Sequence, residues 1–335
     1  MKKGIKHWIL LVVLFLTELT TFSQEDSLVF YFNRGNLKDH SSAERLLKKY
    51  SPKDSIKLFW VASKLSSKEN KIKFYHAVGD KYYQLDDYET ARFYYVRGLE
   101  FARRTLDKRL IADELAVVGD MFRLQDQNTP ALNLLLQAMY LYKELGAQKE
   151  LAHTLSLIGD LNRCIDQLED ALKYLTEGLS IAIKNNFEKD QTFCYSSIGG
   201  TYQAMKKYDQ SLASYEKGLA IAVEAKDTMR IIDFYYSIGD LLLDQKELNK
   251  AIEYLNRGIV LCEIHKDLYY LAYCRIGLSK AFLKLNNAEG SIAEGLKAYK
   301  ISQQMRVYGL SAEASEILYK AYSSKNDFPN AFKYL

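Results

Sequence analysis

The chain has 335 residues, 48% of them apolar, and only three prolines, which fits a well-packed helical protein and excludes a disordered one. Its formal charge of +4 falls to about +2 once Lys2, Lys3, Lys6 and Glu18 are set aside. No basic stripe is clustered, so neither a nucleic acid nor a membrane surface is expected as a partner.

Lys2, Lys3 and Lys6 precede WILLVVLFL, Trp8 to Leu16, and Thr21-Phe22-Ser23 follows with small residues at the two positions a signal peptidase reads. Residues 1–23 therefore read as a signal peptide cleaved after Ser23, and the mature chain is expected in the periplasm or secreted. The rival reading is an uncleaved anchor, but Glu18 ends the apolar run far short of the roughly 20 residues a spanning helix needs. No Cys follows that run, which argues against a lipid-modified N-terminus.

Residues 24–38 read as a polar, irregular lead-in, and 39–71 as degenerate N-terminal helices. Ser41-Ser42 precede AERLLKKY, which ends before Pro52, and Asp54 is placed to cap SIKLFWVASKLSS. The latter aligns with YVRGLEFARRTLD forty residues on, with Ala62 under Ala102.

From Ile72 to Leu335 the sequence repeats every 40 residues, giving about six full units and a truncated last one. Gly79 recurs as Gly119, Gly159, Gly199 and Gly239, and Ser279 and Tyr319 then take the same column. Twelve residues on stand Ala91, Ala131, Ala171, Ser211, Ala251, Ser291 and Ala331. In the five glycine-bearing units the columns four and one before the glycine and three after it are apolar and lie on one face of a first helix, with Asn162 the one polar member. The second helix carries Gly98, Ala138, Gly178, Gly218, Gly258 and Ala298 nineteen residues after the glycine column. A mid-helix glycine costs roughly 1 kcal/mol against alanine, so four in one column imply close helix–helix approach. Turns such as Asp86-Asp87, Asp126-Gln127-Asn128 and Asn286-Asn287 offer N-cap oxygens, and Pro130 and Pro329 fall at the starts of second helices. The fold class expected is all-α, built of paired antiparallel helices.

An apolar residue before glycine, an aromatic three later, Ala twelve later and a small residue nineteen later resemble the tetratricopeptide repeat. The segment DKYYQLDDYETARFYYVRGLEFA, Asp80 to Ala102, carries the resemblance best. The usual unit is 34 residues and ends its second helix with a proline, whereas these run 40 and lack it. The resemblance implies a right-handed solenoid, a superhelix whose concave groove, lined by first helices, binds a protein or peptide.

Carried over column by column, that groove holds His76, Tyr236, Asp80, Asp120, Asp160, Asp240, Tyr83, Arg123, Arg163 and Gln203, with Tyr273 projecting towards it. Two readings of the aspartate ladder stand: local hydrogen bonding or solvation, and selection of a basic or extended polar peptide through charge-assisted bonds. The Lys and Asn set of the carboxylate-clamp subgroup is absent.

No phosphate-binding loop, dinucleotide fingerprint, HExxH or GxSxG is present, and no catalytic, cofactor or metal residue is assigned. His76 with Asp80, and Cys262 with His265, each lack the further ligands a structural zinc needs. Cys262 and Cys274 flank one turn and are the only pair placed to bridge; buried thiols are the reading favoured. The expectation is a non-catalytic, exported binding scaffold. Its alternatives are the sensory region of a histidine kinase or transcriptional regulator whose span and output domain lie outside this chain, and a periplasmic enzyme. The end at AFKYL, part-way through a second helix, is what raises the sensory alternative.

Overall fold

The computed structural model describes residues 28–33, 47, 55–85 and 87–335. The expected signal peptide, most of the expected lead-in and of the first opening helix, Asp54 and Asp86 lie outside the described residues. Those described form helices and turns, with no strand among them. They fall into two compact units, one up to Leu157 and one from Ile158.

In the first unit α1 is Ser55–Lys64, α2 Lys68–Tyr83, α3 Tyr88–Ala102, α4 Lys108–Leu124 and α5 Asn128–Leu145. The boundary falls inside α6, Gln148–Cys164. The second unit continues with α7 Leu168–Lys184, α8 Glu188–Ala204, α9 Tyr208–Glu224, α10 Thr228–Asp244 and α11 Leu248–His265. It ends with α12 Leu268–Lys284, α13 Ala288–Met305, α14 Tyr308–Ser324 and the short α15 Phe328–Ala331. Within each unit helices pack on their neighbours in sequence, as tetratricopeptide-like solenoids do.

Side-chain caps start several of these helices. The Asp87 carboxylate accepts from the Thr90 N–H, Asp227 from Arg230 and Asn287 from Gly290. In the Asp126-Gln127-Asn128 turn the cap position falls to Gln127, which makes no side-chain cap bond. The helix ends follow a rule the sequence did not announce. From Asp126 to Asn326 one residue in every twenty is left-handed, and only Gly146 among them is a glycine. At Lys226, φ 55°, its N–H reaches Val223 O at 3.1 Å and the Asp227 N–H reaches Ala222 O at 2.9 Å. That pair of bonds is the Schellman closure, which satisfies carbonyls the helix leaves open.

The glycine columns do what their smallness implies. A β-carbon on Gly79 would stand 2.6 Å from the Tyr95 ring, and one on Gly239 2.7 Å from Leu255. Gly119, Gly159 and Gly199 meet Leu135, Leu175 and Tyr215 in the same way. Between repeats the later column repeats the relation, Gly98 meeting Glu114, Gly218 meeting Phe234 and Gly258 meeting Cys274. In every case the partner lies sixteen residues ahead. Where serine replaces a small residue its hydroxyl finds a carbonyl: Ser211 donates to Gly199 O at 2.8 Å, and Ser279 to Ser291 O at 2.7 Å. Asn162 is buried and donates to Ile158 O at 2.8 Å, which explains how a polar side chain sits in that column.

Residues 28–33, expected to be irregular, are helical. Leu28 and Phe32, one turn apart, are fully buried, and Phe32 meets Phe74 edge-on at 5.2 Å. The apolar run Leu28 to Phe32 is too short to display a helical period.

Candidate functional site

In the first unit, Asp80 and His76 sit one turn apart on α2. Asp80 accepts a 2.6 Å bond from Tyr95 OH and lies 3.6 Å from His76 Nε2. His76 Nδ1 is 2.9 Å from Oε1 of Glu114, a side chain only 5% exposed on α4. Burial opposes charge on the imidazole, but Glu114, Asp80 and Asp113 outweigh it and raise the His76 pKa. Asp113 in turn accepts from Tyr142 OH at 2.9 Å and from Arg109 Nε at 3.0 Å. A cavity of ≈ 350 Å³ opens here, bounded by Phe32, Ile72 and Leu110 as well as these polar groups. Asp120 is held by Arg123 Nε at 2.7 Å. Tyr83 is exposed and packs edge-on against Tyr88, outside the cavity lining.

In the second unit a polar cavity of ≈ 470 Å³ gathers Asp160, Arg163 and Tyr236 of the expected set. Arg163 Nη2 donates to Asp160 at 2.7 Å, and Ser197 Oγ lies 3.4 Å from the same oxygen. Opposite stand Arg230 and Asp233, which the column reasoning missed. Asp233 accepts from Tyr270 OH at 3.0 Å, Ser196 Oγ at 3.2 Å and Arg230 Nη1 at 3.4 Å. Burial raises its pKa despite these partners. Arg230 also lies over the Phe193 ring at 5.4 Å. A signal was present, because Asp113 and Asp233 share one column six residues before the glycine.

Gln203, Asp240 and Tyr273 lie outside the cavity lining. Gln203 Nε2 bridges Asp240 at 3.0 Å and Asp244 at 2.9 Å, and burial raises the Asp240 pKa. Tyr273 reaches the cavity through neighbours, 5.1 Å from the Tyr236 ring and 5.0 Å from that of Tyr269. Each ladder aspartate thus has a local hydrogen-bond partner. Cys194, Cys262 and Cys274 are buried free thiols and Cys164 is exposed. Among the described residues no three His, Cys, Asp or Glu side chains gather in a metal-binding group, and no helix is long and apolar enough to cross a membrane.

Residues 194–222 and 232–263 match the tetratricopeptide repeat family model. No curated protein matches the chain in sequence. Among solved structures it is similar to the apo form of the quorum sensor NprR from B. thuringiensis. The TM-score is 0.72 and the identity 16%, covering 92% of this chain and 85% of that one. A Rap protein complexed with competence and sporulation factor matches with TM-score 0.62 and 17% identity, covering 92% and 88%. The Rap conjugation gene regulator of plasmid pLS20, in complex with the Phr* peptide, matches with TM-score 0.63 and 15% identity, covering 93% and 94%. Identities this low establish the fold alone. The chain is a tetratricopeptide-like helical-repeat protein.

Proposed function

We propose that the chain is a non-catalytic scaffold that binds a protein or peptide segment on its first helices, in the exported compartment that residues 1–23 encode. The observation that carries this reading is the second unit's polar cavity. Two Arg–Asp pairs, Arg163 with Asp160 and Arg230 with Asp233, face one space beside Ser196, Ser197 and four tyrosines. Guanidinium and carboxylate groups together supply both donors and acceptors, which is what an extended peptide backbone with polar side chains requires. Structural neighbours solved in complex with a competence and sporulation factor and with a peptide support that class of partner. The lining carries two carboxylates, Asp160 and Asp233, and two guanidinium groups, Arg163 and Arg230, so the segment favoured is extended and polar with side chains of mixed charge.

The test is fluorescence-anisotropy panning of a labelled peptide library on the full chain and on Asp160→Asn/Asp233→Asn. A polar consensus lost in the folded double variant supports the reading. Ligands bound equally by both sink it. Fractionation of cells expressing the chain tests export, which fails if the protein stays cytoplasmic at full length.

A second reading, a sensory module that hands binding on to an output domain, draws on the likeness to a quorum sensor. It predicts that a bound peptide changes hydrogen-exchange protection well away from the cavity.

A further inference from the structure

The first unit holds a second site, and its chemistry differs. Glu114 occupies a column five residues before the glycine that elsewhere holds Phe74, Thr154, Cys194, Phe234, Cys274 and Ala314. It is the one charged side chain among these positions, and it is 4% exposed. Its Oε1 meets His76, whereas its buried Oε2 has no hydrogen-bond partner. Gly98 creates the room, since a β-carbon there would stand 2.7 Å from Oε2. A buried carboxylate oxygen left unpaired is costly, and the Glu114 side chain forms part of a cavity wall.

The cavity has two kinds of wall. Phe32, Ile72, Ala77 and Leu110 make an apolar side, and Asp80, Asp113 and Glu114 an acidic one, with His76 and Lys73 as the basic groups. Three carboxylates disfavour an anion. Metal ions are disfavoured too, because these side chains do not gather into a ligating group. A flat apolar ligand would leave Glu114 Oε2 without a partner.

We propose that this cavity binds an organic cation, a protonated amine or guanidinium on an apolar stem, with the charge against Glu114 and the stem against Ile72 and Leu110. The inference uses none of the second unit's residues and stands or falls apart from the peptide reading there. His76 modulates it. The groups facing that ring are Asp80 on its own helix, Tyr95 on α3, and Asp113 and Glu114 on α4, with Lys73 lining the same space. Loss of the imidazole proton leaves the cavity more negative, so cation affinity rises as pH climbs through the His76 transition.

The experiment is calorimetric titration of the full chain with butylammonium, N-acetyl-lysine methylamide and N-acetyl-arginine methylamide, against N-acetyl-norleucine methylamide as the neutral control. At least one cationic probe is expected to bind ten-fold or more tighter than the neutral one, and tighter at pH 8 than at pH 6. Glu114→Gln is expected to lose that ten-fold preference. Leu110→Trp, which fills the cavity and leaves every carboxylate in place, is expected to abolish binding and covers the case in which the first variant fails to fold. Butylammonium binding as tightly as the acetylated residues identifies a small amine as the natural class; stronger binding of the latter identifies a peptide side chain. Equal affinity for the neutral probe, no heat with any cation, or unchanged binding in either folded variant overturns the proposal.

Discussion

The Phe234 ring occupies the space that a β-carbon on Gly218 would need. Helices α9 and α10 are brought together by the absence of one methyl group. Gly218→Ala is expected to destabilise the chain by about 1–3 kcal/mol through overpacking, despite alanine's better helix propensity. Chemical denaturation measures it, and pairing the change with Phe234→Leu should recover part of the loss. An unchanged midpoint for Gly218→Ala would show that the ring yields freely.

Lys226 takes a left-handed conformation at a Schellman closure, as do Lys206 and Lys246. An L-residue with a β-carbon is strained there by about 1 kcal/mol. Lys226→Gly is therefore expected to raise stability by roughly 0.5–1 kcal/mol, read as a higher Tm. The mirror experiment is Gly146→Ala, φ 65°, for which a loss of similar size is expected.

The His76 pKa is raised above its ordinary 6.5, so the folded state binds the proton more tightly than the unfolded one. Its contribution to stability is fully present below about pH 6.5 and is lost as pH rises through the folded value. Thermal melts of wild type and His76→Gln from about pH 5.5 to 8.5 are expected to differ most at the acid end and to converge at the alkaline end. A constant offset across that range would mean that packing, not charge, explains the residue.

Ser211 donates to Gly199 O, yet Ala91, Ala131, Ala171 and Ala251 stand in its column without a hydroxyl. Ser211→Ala is expected to cost no more than about 1 kcal/mol, the net worth of one neutral hydrogen bond. Ser211→Val places two extra carbons at a fully buried position and should cost about 1–3 kcal/mol. Comparing the two melts separates hydrogen bonding from volume.

The paired helices and both small columns were legible because they depend on volume, which a column of Gly and Ala displays directly. The left-handed turns were hidden because their residues are Asp, Asn, Lys and Arg, chosen for a polar surface and not for their backbone freedom. Of the site, the Asp120–Arg123 and Asp160–Arg163 pairs were already written three residues apart in sequence. The meeting of His76 with Glu114 spans 38 positions, and only the odd charge in an otherwise uncharged column hinted at it. Asp233 was hidden because its column, six residues before the glycine, is not one of the three that the family resemblance assigns to the groove.

The sixteen-residue reach of the glycine contacts has a mechanical meaning. A contact so short in sequence closes the same small loop wherever it forms, so no stretch of the array must wait for a distant partner before it gains stability. Pulled from its two ends, such a chain should surrender helix pairs one after another rather than in a single rupture. Each 40-residue release would then add up to roughly 140 Å of contour length. A force-extension trace would record a sawtooth of low, evenly spaced peaks, the behaviour of a soft spring.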